Sequence, residues 1–302
     1  MENYFTTLDY QELLKVSGED SEKFLQGQLT CDLDDLAEEH LTLGAMCNNK
    51  GRVYASFRLF RHAGAYFMTL PSKLLEPTRQ NLQKYIPFYK ATMSDATSRY
   101  QRYGLAGTAA QDYLAGALPR LPAAGESQAS GTDLVLNLGG STPRYEIWSP
   151  VGDSALVRGL GSLDTGSAAD WQALDVLAGI FLVDIADVGQ YTPEETSMDL
   201  AGFVSFDKGC YTGQEIVARM HYRGKAGKRL FLVSIPPGLQ VLDPVLNDES
   251  GKTLGMLSNL LYLNDISVGN TVLKTGTDLS KPLFMTTTQG PIAVTVSPIS
   301  YT

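Results

Sequence analysis

The sequence is poor in cysteine, with three cysteines among 302 residues. Cys31, Cys47 and Cys210 are an odd number, and their spacing matches neither a disulfide framework nor a CxxC metal site. This pattern favours reduced thiols in a cytoplasmic protein. It assigns no metal to the chain.

Common catalytic and nucleotide-binding motifs are also absent. The three histidines, at positions 40, 62 and 221, lack the spacing of metal ligands, and none lies near a GxSxG nucleophile elbow. Gly139 and Gly140 follow an apolar run but do not complete a phosphate-binding loop. Zinc hydrolases, serine hydrolases and nucleotide-binding enzymes therefore have no support.

Long apolar runs and excess positive charge are missing as well. No segment offers about 20 consecutive apolar residues, and the N-terminus carries acids where a secretory signal has bases. We therefore expect neither export nor a membrane span. The formal net charge is −9 and the pI is near 4.9, so the surface as a whole repels polyanions. Any contact with nucleic acid would have to be local.

Hydrophobic patterns in the N-terminal half alternate between strand and helix periods. A capping pattern at Ser17–Asp20 predicts a short helix after a strand over residues 12–16. Period-two patterns predict strands over Arg52–Phe60 and Ala65–Leu70, and a helix follows over Ser72–Tyr85. This order predicts an α+β fold with antiparallel sheets.

Composition divides the rest of the chain. Residues 114–143 are rich in Ala, Gly, Pro and Ser, which predicts a flexible loop or connection between lobes. An apolar stripe predicts a helix over residues 168–181, with Trp171 either in the core or as the aromatic wall of a pocket. Short strands then predict a small terminal β-barrel or sandwich. We assign residues 1–228 to a body of two interleaved α+β lobes and residues 229–302 to the barrel.

The segment KGCYTGQE carries the most chemical information. Thr212 and Glu215 form a capping box, so a helix should begin at about Gly213. Cys210 then precedes a helix N-terminus, where free N–H groups and the charge of Lys208 favour a thiolate or a bound carboxylate. A buried cysteine in a tight turn is the structural alternative. The segment comprises Lys208, Gly209, Cys210, Tyr211, Thr212, Gly213, Gln214 and Glu215, and Arg219 follows one helical turn later.

A basic stretch follows this segment and contains no acid between Glu215 and Asp243. It could bind the phosphates of RNA or the carboxylates of a polyglutamylated folate tail. A solvated, positively charged loop is the alternative. Its members are Arg219, Arg223, Lys225, Lys228 and Arg229, with His221 among them.

The motifs together resemble one known family. KGCYTGQE at 208–215, AR at 218–219 and YRG at 222–224 are similar to the signature of the YgfZ family, a branch of the glycine-cleavage T-protein superfamily. The resemblance continues in GEDSEKFLQGQLTCDL near the N-terminus, CNNKGR at 47–52 and WQALDVLAGIFLVD at 171–184. It therefore covers most of the chain.

The resemblance implies a T-protein-like fold, with lobes around a central opening that holds tetrahydrofolate or a derivative. It also implies a role in iron–sulfur enzyme maintenance and in tRNA thiolation or methylthiolation, with iron–sulfur tRNA-modifying enzymes as partners. Trp171 corresponds to a folate-contacting tryptophan, and Cys210 to the cysteine at the centre of the motif. Where some members have a second tryptophan, this chain has Tyr10 and Gln11.

Two other functions stay open. A folate-dependent aminomethyltransferase needs a carboxylate at the folate nitrogen, and residues 50–56 contain none. A thiol-based redox or cluster-transfer protein would use Cys210, although one cysteine alone does not make a four-thiolate cluster site. We expect a folate-binding accessory factor whose pocket is walled by Trp171 and residues 208–219.

Overall fold

The computed structural model describes residues 3–150, 154–223 and 226–301, without the side chain of Arg223. The helices are α1 (Ser21–Gln26), α2 (Ser72–Gln83), α3 (Thr108–Ala117), α4 (Ala155–Arg158), α5 (Ala168–Leu177) and α6 (Gln214–Arg223). The first ten strands are β1 (Tyr4–Thr7), β2 (Gln11–Ser17), β3 (Leu41–Cys47), β4 (Val53–His62), β5 (Ala65–Pro71), β6 (Thr92–Asp95), β7 (Tyr100–Ala106), β8 (Ser127–Ser130), β9 (Asp133–Asn137) and β10 (Arg144–Pro150). The last six are β11 (Lys228–Ile235), β12 (Val241–Asn247), β13 (Thr253–Tyr262), β14 (Ser267–Lys274), β15 (Leu283–Thr287) and β16 (Gly290–Pro298).

The strands form two open sheets and one closed barrel. One sheet has the order β1-β7-β10-β9-β8, and the other has the order β3-β4-β5-β2-β6. The barrel closes in the order β11-β14-β13-β12-β15-β16. The pairings given by residue within these sheets are antiparallel, so the predicted α+β fold with antiparallel sheets and a C-terminal barrel is confirmed.

Local patterns located several elements well. The predicted strands at 52–60 and 65–70 correspond to β4 and β5, which a turn with Gly64 at φ 68° joins. The helix predicted over 72–85 is α2, and the helix predicted to begin near residue 213 begins at Gln214. The helix predicted over 168–181 ends earlier, at Leu177.

The prediction of a loop over residues 114–143 is wrong for much of that segment. It contains the end of α3 and the hairpin β8–β9. Leu134, Val135 and Leu136 of β9 are buried because β9 pairs with β10 inside the sheet. The Ala, Gly, Pro and Ser residues between these elements dominate the composition, so the composition does not reveal β9, a short strand paired on both sides.

The chain divides into two compact units. The first comprises Met1–Gly44, Phe57–Trp171 and Lys208–Cys210, and the second Ala45–Ser56, Gln172–Asp207 and Tyr211–Thr302. One core of the first unit packs Phe60, Phe67 and Trp148 together. The barrel of the second unit is filled by aliphatic side chains such as Val233, Ile235 and Leu246. The predicted bounds of body and barrel at 228 and 229 stay a prediction.

Within the described ranges, every helix is too short or too polar to cross a bilayer.

Candidate functional site

Lys208, the first residue of the motif, is a buried cation within the first unit. Its Nζ donates hydrogen bonds to the main-chain oxygens of Gln26, Leu29 and Cys31, at 2.9, 2.7 and 2.8 Å. Burial lowers the pKa of Lys208 from its ordinary value, because desolvation disfavours the charged form. An ammonium has three donors, so these bonds match its full capacity. Lys208 therefore holds the turn that follows α1.

Gly213 brings the motif against the CNNKGR segment inside the second unit. It has φ 88°, and a Cβ at this position would collide with the main-chain oxygen of Asn48. Gly51 has φ 66°, and a Cβ there would lie 2.9 Å from Cβ of Ile216 on α6. Two segments that carry the family resemblance thus pack together with no space for a side chain at either glycine.

The three cysteines differ in accessibility. Cys31 and Cys47 are buried, and burial raises the pKa of each thiol to about 12. Cys210 is exposed. Since the thiolate is the reactive form, the two buried thiols are inert near neutral pH. The buried-cysteine alternative is therefore wrong for Cys210, although the chemistry of its thiol stays a prediction.

The C-terminal end of α6 contributes to an aromatic cluster in the second unit. The rings of Phe206 and His221 stack with centroids 3.6 Å apart, and Tyr222 meets His221 edge to face at 4.9 Å. Tyr222 is exposed, as are Glu215 and Arg219 on the same helix. The sequence reasoning missed Phe206, which precedes the motif by two residues.

The basic stretch is partly neutralised by acids that lie earlier in the chain. Lys228 Nζ lies 3.3 Å from Glu195 Oε1, and Arg229 Nη1 lies 2.5 Å from Asp199 Oδ1. Lys225 and the side chain of Arg223 lie outside the described residues. Counting charges only between residues 215 and 243 therefore overestimates the local positive charge. Anion binding by this stretch stays a prediction.

Trp171, the predicted folate contact, packs against β7 in the first unit. It is 1% exposed, and a Cβ at Gly104 would come within 2.7 Å of the indole Cδ2. Only a glycine allows this approach. The indole is thus held against the middle of the sheet, which agrees with the core interpretation of its apolar stripe. Its contact with folate is untested.

The other two predicted folate contacts meet the same strand through Arg102. Gln11 is buried, and its Nε2 donates to Tyr10 Oη at 3.1 Å. The buried Arg102 guanidinium donates to the main-chain oxygen of Gln11 and to Gln11 Oε1. Gln11 and Trp171 therefore contact β7 at positions 102 and 104, and Tyr10 is hydrogen-bonded to Gln11.

Glu146 is the functional candidate that the sequence reasoning missed. It lies on β10 directly opposite Gly104 and is 1% exposed. Its Oε2 accepts a hydrogen bond from Trp148 Nε1 at 2.8 Å, whereas Oε1 is buried without a partner among the described residues. A buried polar atom without a partner costs free energy, and such atoms in native proteins call for an explanation. The available signal was a single acid inside the apolar run of β10.

Comparison with known proteins places this fold in a class. Residues 7–127 match the GCVT N-terminal domain. The whole chain is similar in structure to glycine cleavage system aminomethyltransferase T from Bartonella henselae, with a TM-score of 0.81, 17% identity and coverage of 100% of this chain and 86% of that one. The chain thus has the fold of the T-protein superfamily.

Sequence relatives narrow this class to one family. The tRNA-modifying protein YgfZ of Escherichia coli (strain K12) is 35% identical over 235 residues, which cover 76% of this chain and 71% of that protein. The protein of the same name from Shigella flexneri matches to the same extent. The chain belongs to the YgfZ family, which confirms the resemblance read from its motifs.

Proposed function

We propose that this chain binds a reduced folate, tetrahydrofolate or a derivative, beside β7 and β10 in its first unit. The observation that carries the proposal is the buried Oε1 of Glu146, which has no hydrogen-bond partner in the described part of the chain. A pterin ring presents an amino group and an adjacent ring N–H, and a carboxylate is an acceptor for both kinds of donor. Trp171 lies over Gly104, the residue directly opposite Glu146, and would place an indole beside the ring.

We further propose that the bound folate serves an accessory role rather than aminomethyl transfer. Residues 50–56 contain no carboxylate, but Glu195 Oε2 lies 2.9 Å from Arg52 Nη1. Glu195 Oε1 also lies 3.3 Å from Lys228 Nζ, so both carboxylate oxygens are held in ion pairs and neither is a free base for a substrate. Aminomethyl transfer is the competing function.

The proposed role is support of tRNA modification in the cytoplasm, through iron–sulfur enzymes of tRNA thiolation or methylthiolation. The tRNA part rests on the YgfZ relatives, which are tRNA-modifying proteins by name. The iron–sulfur part rests on the family resemblance. Cys210 is the exposed thiol that a redox or cluster-transfer role would use. Direct contact with tRNA would fall to Arg219 and the basic stretch after it.

The test is calorimetric titration of the purified protein with tetrahydrofolate and 5-formyltetrahydrofolate. We expect saturable binding that Glu146→Gln weakens by about tenfold to a hundredfold, the value of one hydrogen bond to a charged group. Trp171→Phe should also weaken binding while keeping an aromatic ring in the core. Glu76→Gln, on an exposed carboxylate of α2, is the matched control and should bind folate like the wild type.

The same protein is then assayed for aminomethyl transfer and for complementation of a deletion strain. Folate binding without transfer supports the accessory role, and measurable transfer replaces it with the enzymatic one. No folate binding would contradict the pocket and move the proposal to a thiol-based protein centred on Cys210. In that case Cys210→Ala should abolish complementation.

A further inference from the structure

A second possible ligand site lies entirely within the second unit, in a cavity of about 300 Å³. This volume is at the lower end of the range of ligand pockets. The cavity lies between the turn at residues 192–196, helix α6 and the adjoining ends of β11 and β14. Its lining is Glu194, Glu195, Met220, Gly227, Lys228 and Lys274.

Glu194, one of the lining residues, has a buried carboxylate oxygen that is not satisfied within the described part of the chain. The residue is 7% exposed, and its buried Oε2 has no hydrogen-bond partner within the described ranges. The neighbouring cation does not fill this role, because Arg229 Nη1 donates to the main-chain oxygen of Glu194 and to Asp199. A ligand that donates an N–H to Glu194 would remove the cost of the buried, unpaired oxygen.

Two lysines in the same lining favour a ligand that also carries a negative charge. Lys228 on β11 and Lys274 on β14 are directly opposite in the antiparallel register. Like charges in this position destabilise a sheet. Lys228 is paired with Glu195, whereas Lys274 is exposed and has no ion pair in the described part of the chain. An anionic group beside the lysines would relieve their repulsion.

We propose that this cavity binds a small zwitterion of the amino-acid class, whose ammonium group binds Glu194 and whose carboxylate binds the Lys228–Lys274 pair. The two requirements come from different elements, since Glu194 lies in the turn before α6 and the lysines lie on the barrel. A ligand with one charge alone satisfies only one of them. The site is independent of the proposed folate pocket, whose residues belong to the first unit.

The probes are ω-amino acids of increasing length, namely glycine, 4-aminobutyrate and 6-aminohexanoate, titrated into the full-length protein by calorimetry. We expect one of them to bind with saturation. Butylamine and butyrate, which carry one of the two charges each, should bind at least about tenfold more weakly, because each loses one charge-assisted hydrogen-bonded group. If no probe saturates, or if the singly charged analogues bind as tightly, the proposal is wrong.

Variants then assign the two ends of the ligand. Glu194→Gln and Lys274→Ala should each weaken binding by about tenfold. The matched controls are Glu249→Gln and Lys252→Ala, which change the same charges at a barrel turn outside the cavity. Controls that weaken binding equally would overturn the assignment.

Folding and folate binding are measured on the same variants. Lys274 is exposed, so Lys274→Ala carries the test if Glu194→Gln does not fold. Folate affinity should stay unchanged in both variants. Loss of amino-acid binding with folate binding intact supports a second site that is separate from the folate pocket. Loss of folate binding in either variant would overturn the proposal.

Discussion

The Lys208 ammonium lies 2.7 Å from the main-chain oxygen of Leu29, although 179 residues separate the two in the chain. The sequence suggested that Lys208 supplies positive charge near a ligand. In the structure, its ammonium instead holds a turn of the backbone. Lys208 is 7% exposed, and its ammonium also donates to the main-chain oxygens of Gln26 and Cys31.

We predict that Lys208→Met lowers the free energy of unfolding by at least about 2 kcal/mol, because it removes three charge-assisted hydrogen bonds to main-chain oxygens. Urea unfolding followed by circular dichroism measures the change. Lys23→Met, at an exposed lysine of α1, should stay within about 0.5 kcal/mol of wild type. Equal effects of the two substitutions would refute the role given to Lys208.

The exposed Cys210 should be the only thiol that reacts in the folded protein. Because burial raises the pKa of Cys31 and Cys47 to about 12, their thiolates are scarce at pH 8. Titration with a chromogenic disulfide reagent should count one thiol in buffer and three in denaturant. Cys210→Ser should bring the native count to zero, and rapid labelling of this variant would contradict the burial of the other two.

Gly213→Ala should destabilise the protein more than a positive φ alone explains. A Cβ there collides with Asn48, whereas Gly189 has φ 73° and nothing within 4 Å of an added Cβ. Gly189→Ala therefore measures the backbone strain, about 1 to 2 kcal/mol, and the excess in Gly213→Ala measures the close approach of the two segments. If both substitutions lower the free energy of unfolding equally, the motif and the segment at Asn48 can move apart with little loss of stability.

Gly104→Ala tests the packing of Trp171 on β7. The new methyl group would overlap the indole, and overpacking of this kind costs about 1 to 3 kcal/mol. Tryptophan fluorescence and urea unfolding report the displacement. Gly116→Ala on α3, where an added Cβ meets nothing within 4 Å, should instead stabilise by about 0.5 to 1 kcal/mol. Stabilisation by both substitutions would show that Trp171 is not held against Gly104.

Glu194 should make stability depend on pH. Burial, the largest influence, raises the pKa of its carboxyl above the ordinary 4.5, so the folded state binds the proton more tightly than the unfolded state. This contribution to stability is complete below pH 4.5 and is lost as the pH rises through the folded pKa. Glu194→Gln cannot ionise, so its stability relative to wild type should improve between pH 4.5 and 7. A constant difference across this range would contradict the shift.

Several elements followed from local sequence alone. The alternation of β4, the length of α2 and the beginning of α6 depend on residues close in the chain, and periodicity detects such patterns. The same alternation places Ser56 on the face of β4 opposite Ala55 and Phe57. Ser56 is nonetheless buried, because its Oγ donates to the oxygen of Phe181 and accepts from the N–H of Val183. The periodicity of one strand cannot identify these partners, because they lie far away in the chain.

The sequence by itself determined the family, the antiparallel α+β fold, the barrel and the motif around Cys210, because motifs and periods are properties of neighbouring residues. Only the tertiary structure decided which charges are neutralised and which buried acceptors stay open. Glu195 and Asp199 reach Lys228 and Arg229, and Trp171 reaches Gly104 beside Glu146, through packing of segments far apart in the chain. Such pairings depend on burial and on distance in space, which the order of residues does not contain.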